Sequence, residues 1–229
     1  MNQFLKLRKS VSALFLLCVL LVQTNIRGAE SFELQDGDRV VFLGDALVEQ
    51  EQYAGWIELM MTTAFPERDV TFRNLGWSAD TPSGKSRFGL SLLPAGREPA
   101  GEGWRQLVKQ LKFTQPTVIV FGYGMASALD SGMEGVAAFT QDYQRLVDTA
   151  KQMQPDLRCV LLSPLGRRAD QSRTIQTDAS VLTAYRKAVN QVADNNDGVF
   201  VDLSDVAIDD GLRKDPIHLN DAGYREAAI

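Results

Sequence analysis

Apolar and polar positions follow two rhythms along this chain, and the switches between them predict strands alternating with helices. Val40, Val41, Phe42 and Leu43 form a short apolar run that stops at Gly44, which predicts a buried strand over 39–43. From 53 to 65 the period changes: Trp56, Leu59, Met60 and Thr63 fall on one helical face, and Pro66 ends the segment. A second strand is predicted over 69–75. A helix over 104–113 follows, with Leu107, Val108 and Leu111 inward, and Pro116 separates it from a central strand over 117–121. Tyr143, Leu146, Val147 and Ala150 give a helix over 139–153. A strand over 159–162, a helix over 181–192, a strand over 199–203 and a short last helix beginning near Asn220 complete the order.

Short buried strands separated by helices predict an α/β fold, a sandwich of helices on both faces of a mainly parallel sheet. The least regular stretch is 78–102. Its Gly, Pro and Ser content predicts a long loop, and in open α/β sheets loops at strand ends build the site. Within it, the 92–102 stretch with Pro94, Gly96, Arg97 and Pro99 reads as a substrate rim or as plain surface. No internal repeat is found.

The 229 residues are 45% hydrophobic and 23% charged, which places the chain among ordinary globular sequences and predicts one folded domain over 29–229. Residues 1–28 read differently. Lys6, Arg8 and Lys9 precede an apolar run from Val11 to Val22, and small residues close the segment at Gly28 and Ala29. This predicts a secretory signal peptide over 1–28 and a secreted or periplasmic product with no stable membrane span after cleavage. The alternative is a retained amino-terminal anchor, and Leu17–Cys18 makes a weak lipoprotein signal. Residues 1–28 hold four basic groups and no acid, so 29–229 carries 20 basic against 29 acidic residues, a net charge of −9. An acidic exported protein is a poor nucleic-acid binder. His218 is the only histidine and Cys159 the only cysteine of 29–229, which excludes a multi-His or Cys-based metal centre and a disulfide within the chain. No metal and no other cofactor is called for.

Residues suited to chemistry gather after the predicted strands. Gly44, Asp45, Ala46 and Leu47 follow the first; Asn74 to Thr81, including Trp77, Ser78, Ala79 and Asp80, follow the second; Gly122 to Ser127, including Tyr123 and Ala126, follow the third. Asp215 and His218 stand near the carboxyl end. In this order they resemble the four blocks of the SGNH, or GDSL-type, hydrolases. The resemblance spans residue 36 to the end and looks closest to secreted planctomycete-type members, through Gly-Asp-Arg-Val-Val-Phe-Leu-Gly at 37–44 and Phe-Arg-Asn-Leu-Gly-Trp-Ser at 72–78. It implies a three-layer α/β/α sandwich on a five-stranded, flavodoxin-like sheet, and hydrolysis of acyl or acetyl esters on lipids, carbohydrates or other small molecules. A serine nucleophile in the first block would be activated by a histidine that an acid orients. The oxyanion would meet the nucleophile's own N–H, a second-block glycine N–H and a third-block asparagine side chain.

Asp215 and His218 match the acid and the base. The nucleophile position is Ala46, the second-block glycine position Ala79 and the third-block asparagine position Ala126. Ala79 keeps its N–H, Ala126 has no side-chain donor, and Ala46 cannot attack a carbonyl. Ser78 and Ser127 are the nearby hydroxyls that could stand in, and Asp215 with His218 could instead activate water directly. Other residues carry double readings. Asp45 lines the site or bonds backbone groups locally; Asp80 with Thr81 forms a turn or cap. Trp77 and Tyr123 form an aromatic platform or pack loops onto the sheet. Two functions follow: an impaired ester hydrolase, or a pseudoenzyme that binds a glycan, an ester ligand or a protein partner through the crevice.

Overall fold

A computed structural model describes residues 32–87, 101–166, 178–206 and 209–229. The predicted signal peptide and the loop over 92–100 lie outside the described residues. Residues 33–229 form one unit. The elements run β1 (Arg39–Gly44), α1 (Ala46–Ala54), α2 (Trp56–Ala64), β2 (Thr71–Asn74), α3 (Glu102–Thr114), β3 (Val118–Gly122), α4 (Met125–Ser131), α5 (Val136–Met153), β4 (Arg158–Leu162), α6 (Ala179–Asn195), β5 (Val199–Val201) and α7 (Asp221–Ala227).

The five strands are all parallel, in the order β2-β1-β3-β4-β5. Alternation of side chains divides β1 and β3 between two helical layers. Val41, Leu43, Ile119 and Phe121 share one core with Leu107 and Leu111 of α3, Tyr143, Leu146 and Val147 of α5, and Tyr185, Val189 and Val192 of α6. On the opposite face α1 packs on β1 to β3, and α7 packs on α1 and α2. The fold is therefore the predicted three-layer sandwich, and every strand of the sequence reading is present. An aromatic chain of Phe121, Tyr123, Tyr143, Phe139 and Tyr185, with ring centroids 4.8–5.8 Å apart, fills the first core beneath the carboxyl ends of the strands.

Two helices correct the sequence reading. The single helix expected over 53–65 is α1 and α2, broken at Gly55, whose φ of +70° caps one helix and starts the next. Glu51 joins them: its Oε1 accepts the Ile57 N–H at 2.6 Å. The half-buried face of α2 is Trp56, Ile57, Met60 and Met61; Leu59 and Thr63, expected inward, are exposed. The third block, placed after the third strand with no element predicted for it, opens a helix, α4. Among the described residues no helix is long and apolar enough to cross a membrane.

β1 and β3 meet in register, Gly44 opposite Gly122. A Cβ on Gly44 would stand 2.2 Å from the Gly122 carbonyl oxygen, so only glycine lets the two strand ends close together under α1. Strand order reverses here, and crevices at such switch points take ligands.

Candidate functional site

Asp45 links the first and third blocks. As N-cap of α1 its Oδ1 accepts the Leu47 N–H at 3.3 Å, while Oδ2 accepts the Ala126 N–H at 3.2 Å and its own N–H donates to the Gly122 carbonyl at 3.0 Å. Burial pushes its carboxyl up to about 6, against the pull of those N–H groups. The reading of Asp45 as bonding backbone groups locally covers only its Leu47 bond; the Ala126 bond crosses to the third block, and the group lines the crevice as well. The bonds hold Ala46, first residue of α1, close to the first turn of α4, which carries Ala126. Ala79, in the loop after β2, has φ +59°. That left-handed conformation costs a residue with a Cβ about 1–2 kcal/mol, which gives a conformational reason for glycine at this position.

His218, the expected base, is held from several directions. Asp215 Oδ2 lies 2.7 Å from His218 Nδ1, and Oδ1 accepts the Ile217 and His218 N–H groups, each at 2.9 Å. Burial opposes ionisation of Asp215, but these bonds outweigh it and hold the carboxyl below its ordinary range. With Nδ1 engaged, Nε2 is the ring nitrogen left to act on a ligand. Arg213 clamps the loop through the Pro216 and Gly166 carbonyls at 3.0 and 2.7 Å. Beyond it, α7 is tied back to the first block: Tyr224 donates its hydroxyl to the Leu47 carbonyl at 2.8 Å, and Trp56 Nε1 donates to Asp221 at 3.0 Å.

A cavity of about 700 Å³ opens at the switch point, and Asp45, Ala46, Ser78, Ala79, Tyr123, Ala126 and His218 all line it. Ala46, Ala79, Ala126 and His218, the positions that the resemblance singles out, therefore share one crevice. Met125, Leu129, Pro164, Leu165 and Ile217 make an apolar wall, and the Lys85–Asp130 ion pair at 2.7 Å stands at its edge. Ser127 does not line the cavity. It is buried on α4, and its carbonyl accepts the Tyr185 hydroxyl at 3.1 Å.

Each hydroxyl in the crevice has a partner other than His218. Ser78 donates to the Glu49 carboxylate. Thr81 pairs with Ser83 at 3.0 Å, Ser86 donates to the Ala79 carbonyl at 2.6 Å, and Ser163 donates to the Pro164 carbonyl at 3.1 Å while accepting the Leu203 N–H at 2.8 Å. Tyr123, 1% exposed, donates to Asp80 at 3.3 Å and packs edge-on against Tyr143. It is part of the packed core at the crevice floor, so it and the exposed Trp77 do not make a joint platform. Asp80 is neither a turn nor a cap residue alone. Its carboxylate receives Arg87 Nε at 2.6 Å and the Ser86 N–H at 3.2 Å, and Arg87 also reaches Gln110 and the Leu75 carbonyl. Both partners are buried, and burial raises Asp80 against the pull of the guanidinium. Among the described residues no three His, Cys, Asp or Glu side chains are grouped to hold a metal ion.

The sequence reading missed Glu49 and Arg87. Glu49 lies on the turns of α1 that were not read as helix. Arg87 has a signal only in retrospect: it lies seven residues after Asp80, and no periodicity marks a loop cation as a buried counter-ion.

Two buried acids shape the pH response. Burial raises Glu51, whose Oε2 has no hydrogen-bond partner among the described residues, to about 7, as it raises Asp45 to about 6. Their stabilising contribution is whole below the ordinary values of 3.8 and 4.5, erodes as pH rises and is gone above about 7. The acids held low, Asp38 and Asp215 among them, act oppositely and weaken the fold only as pH falls through and below the ordinary carboxylate range. Thermal unfolding midpoints are thus expected to decline from pH 5 to pH 8, with Glu51 contributing on the order of 2–3 kcal/mol. In Glu51→Gln the decline should be visibly flatter; an identical profile would refute the assignment.

Residues 42–226 match the family model described as GDSL-like Lipase/Acylhydrolase family. Among solved structures, an acetyl xylan esterase is similar at 18% identity over 82% of this chain and 95% of its own, with a TM-score of 0.59. A carbohydrate acetylesterase family member from Sinorhizobium meliloti is similar at 16% identity, over 83% and 93% of the two chains, with a TM-score of 0.60. The lipase/acylhydrolase from Enterococcus faecalis is similar at 18%, over 83% and 91%, with a TM-score of 0.58. At these identities the likeness is one of fold. No curated protein matches the chain in sequence.

Proposed function

Because the chain belongs to the GDSL-like lipase/acylhydrolase family, we propose that it is an exported, ester-hydrolase-like protein that binds an acyl or acetyl ester in the retained crevice and does not form an acyl-enzyme. The observation that carries this reading is Ala46, a methyl group at the expected nucleophile position, lining the same cavity as His218, whose Nδ1 is bonded to Asp215. Losing a triad nucleophile costs about a million-fold in turnover. The missing side-chain donor at Ala126 costs ~100- to 1,000-fold where the rest of a site is intact. The two losses need not multiply, since such groups act as a unit. Two backbone N–H groups, of Ala46 and Ala79, remain as donors of the implied oxyanion hole. The engagement of Ser78, Thr81, Ser86 and Ser163 with other partners supports a pseudoenzyme over a relocated serine.

Export is proposed from the basic, apolar and small-residue order of 1–28. The acetyl xylan esterase and the carbohydrate acetylesterase among the structural neighbours support an ester carried on a carbohydrate. The second reading is direct activation of water by His218 Nε2, favoured by the intact bond from Nδ1 to Asp215. The purified protein should neither be labelled by a serine-directed fluorophosphonate nor hydrolyse p-nitrophenyl acetate or butyrate above a His218→Ala control. Labelling would reveal a displaced nucleophile. Unlabelled turnover that vanishes with His218 would establish the water route instead.

A further inference from the structure

We infer that Trp77, Glu49 and Ser78 form a pyranose-binding subsite on the rim of the cavity, so that the ligand of this protein is an acylated glycan, with the acyl group inside and the sugar outside. The inference rests on the reading of the crevice as a binding site and names what that site recognises.

The loop after β2 lies directly on α1. At Gly76 a Cβ would come within 2.3 Å of the Glu49 backbone nitrogen, so the next two residues are set beside that acid. Ser78 lines the cavity and donates its hydroxyl to Glu49 Oε2, which also accepts from Gln50 at 3.1 Å. Oε1 has no protein donor among the described residues. A carboxylate with an oxygen to spare beside a hydroxyl with spare lone pairs is suited to accept from the hydroxyls of a sugar.

Trp77 supplies the other half of sugar recognition. Its backbone is fixed, with the N–H donating to the Gly44 carbonyl at 3.0 Å, yet the residue is 42% exposed. A large ring carried on a fixed backbone and left partly wet offers contact area to a ligand. A pyranose offers what fits both neighbours: an apolar C–H face for the indole and hydroxyl donors at its edge for the carboxylate. The cavity behind Ser78 has the opposite character. Met125, Leu129, Pro164 and Leu165 offer few groups to a hydroxyl-rich ring and suit an acyl chain. A lipid ester would leave the rim unused.

Calorimetric titration and tryptophan fluorescence of the intact protein with xylohexaose, cellohexaose and chitohexaose test this, with decanoate as an acyl probe. At least one hexasaccharide should bind with a change in tryptophan emission. Trp77→Ala should weaken it about tenfold or more, and Glu49→Ala by tenfold or more through the lost charged hydrogen bond. Phe113→Ala, removing an aromatic that is 89% exposed on α3, should change nothing. Ser78→Ala gives a second, milder lesion should Trp77→Ala melt early. Binding by none of the three saccharides, or binding unaltered in both Trp77→Ala and Glu49→Ala, overturns the subsite. Decanoate binding that Leu129→Glu abolishes, without saccharide binding, sinks the subsite and leaves the crevice reading standing. Absence of both kinds of binding sinks the two together.

Discussion

Ala46→Ser combined with Ala126→Asn is expected to make this protein an esterase. The serine would stand at the first position of α1, on the wall of the cavity that His218 also lines, with Nδ1 of the base already bonded to Asp215 at 2.7 Å. The asparagine would restore the third oxyanion donor beside the backbone N–H groups of residues 46 and 79. A nucleophile is worth about a million-fold in a complete triad, and imperfect geometry subtracts from that, so a gain on the order of a thousandfold or more over the parent is expected with a short-chain p-nitrophenyl ester. Ala46→Ser alone should give part of it. Adding His218→Ala should remove the gain, and fluorophosphonate should label the Ala46→Ser and the double variants but neither the parent nor the variant that also lacks His218. A folded double variant without activity would show that residue 46 does not meet the imidazole, and the assignment of the first block would fall.

Arg87→Ala is expected to cost about 3–5 kcal/mol of stability, because it leaves the Asp80 carboxylate buried without its counter-ion. The same change frees Gln110, the Leu75 carbonyl and Tyr123 of a shared partner network, so the loop that carries Ala79 and Ser78 loses its anchor. Denaturant unfolding should show the loss, and pairing it with Asp80→Asn should recover much of it, since the second change removes the orphaned charge. A loss below about 1 kcal/mol would mean that water reaches the pair.

Which parts of this architecture can be read from the chain follows from how each is stabilised. β1 and β3 are buried on both faces, and α5 and α6 each present one continuous apolar stripe, so composition and period reveal them. α1 escapes because it shows water a mixed surface and buries only Val48 and Glu51; its stability comes from the Asp45 cap and from α7, which no local pattern reports. The positions of the blocks could be read because they follow strands in order. Their contacts could not: that Tyr123 joins the aromatic core, that Ser127 turns away on α4 and that Glu49 takes the Ser78 hydroxyl are tertiary facts.

The tie between Tyr224 and the Leu47 carbonyl has a consequence for how such a site ages. The loop with the imidazole is moored to the start of α1 through main-chain atoms and a phenol, none of which belongs to the side chain of residue 46. The placement of His218 and residue 46 on one crevice is therefore supported by the same joints that keep the last helix folded. On the proposed reading, selection for mere foldedness is enough to preserve this jig whatever side chain stands at residue 46.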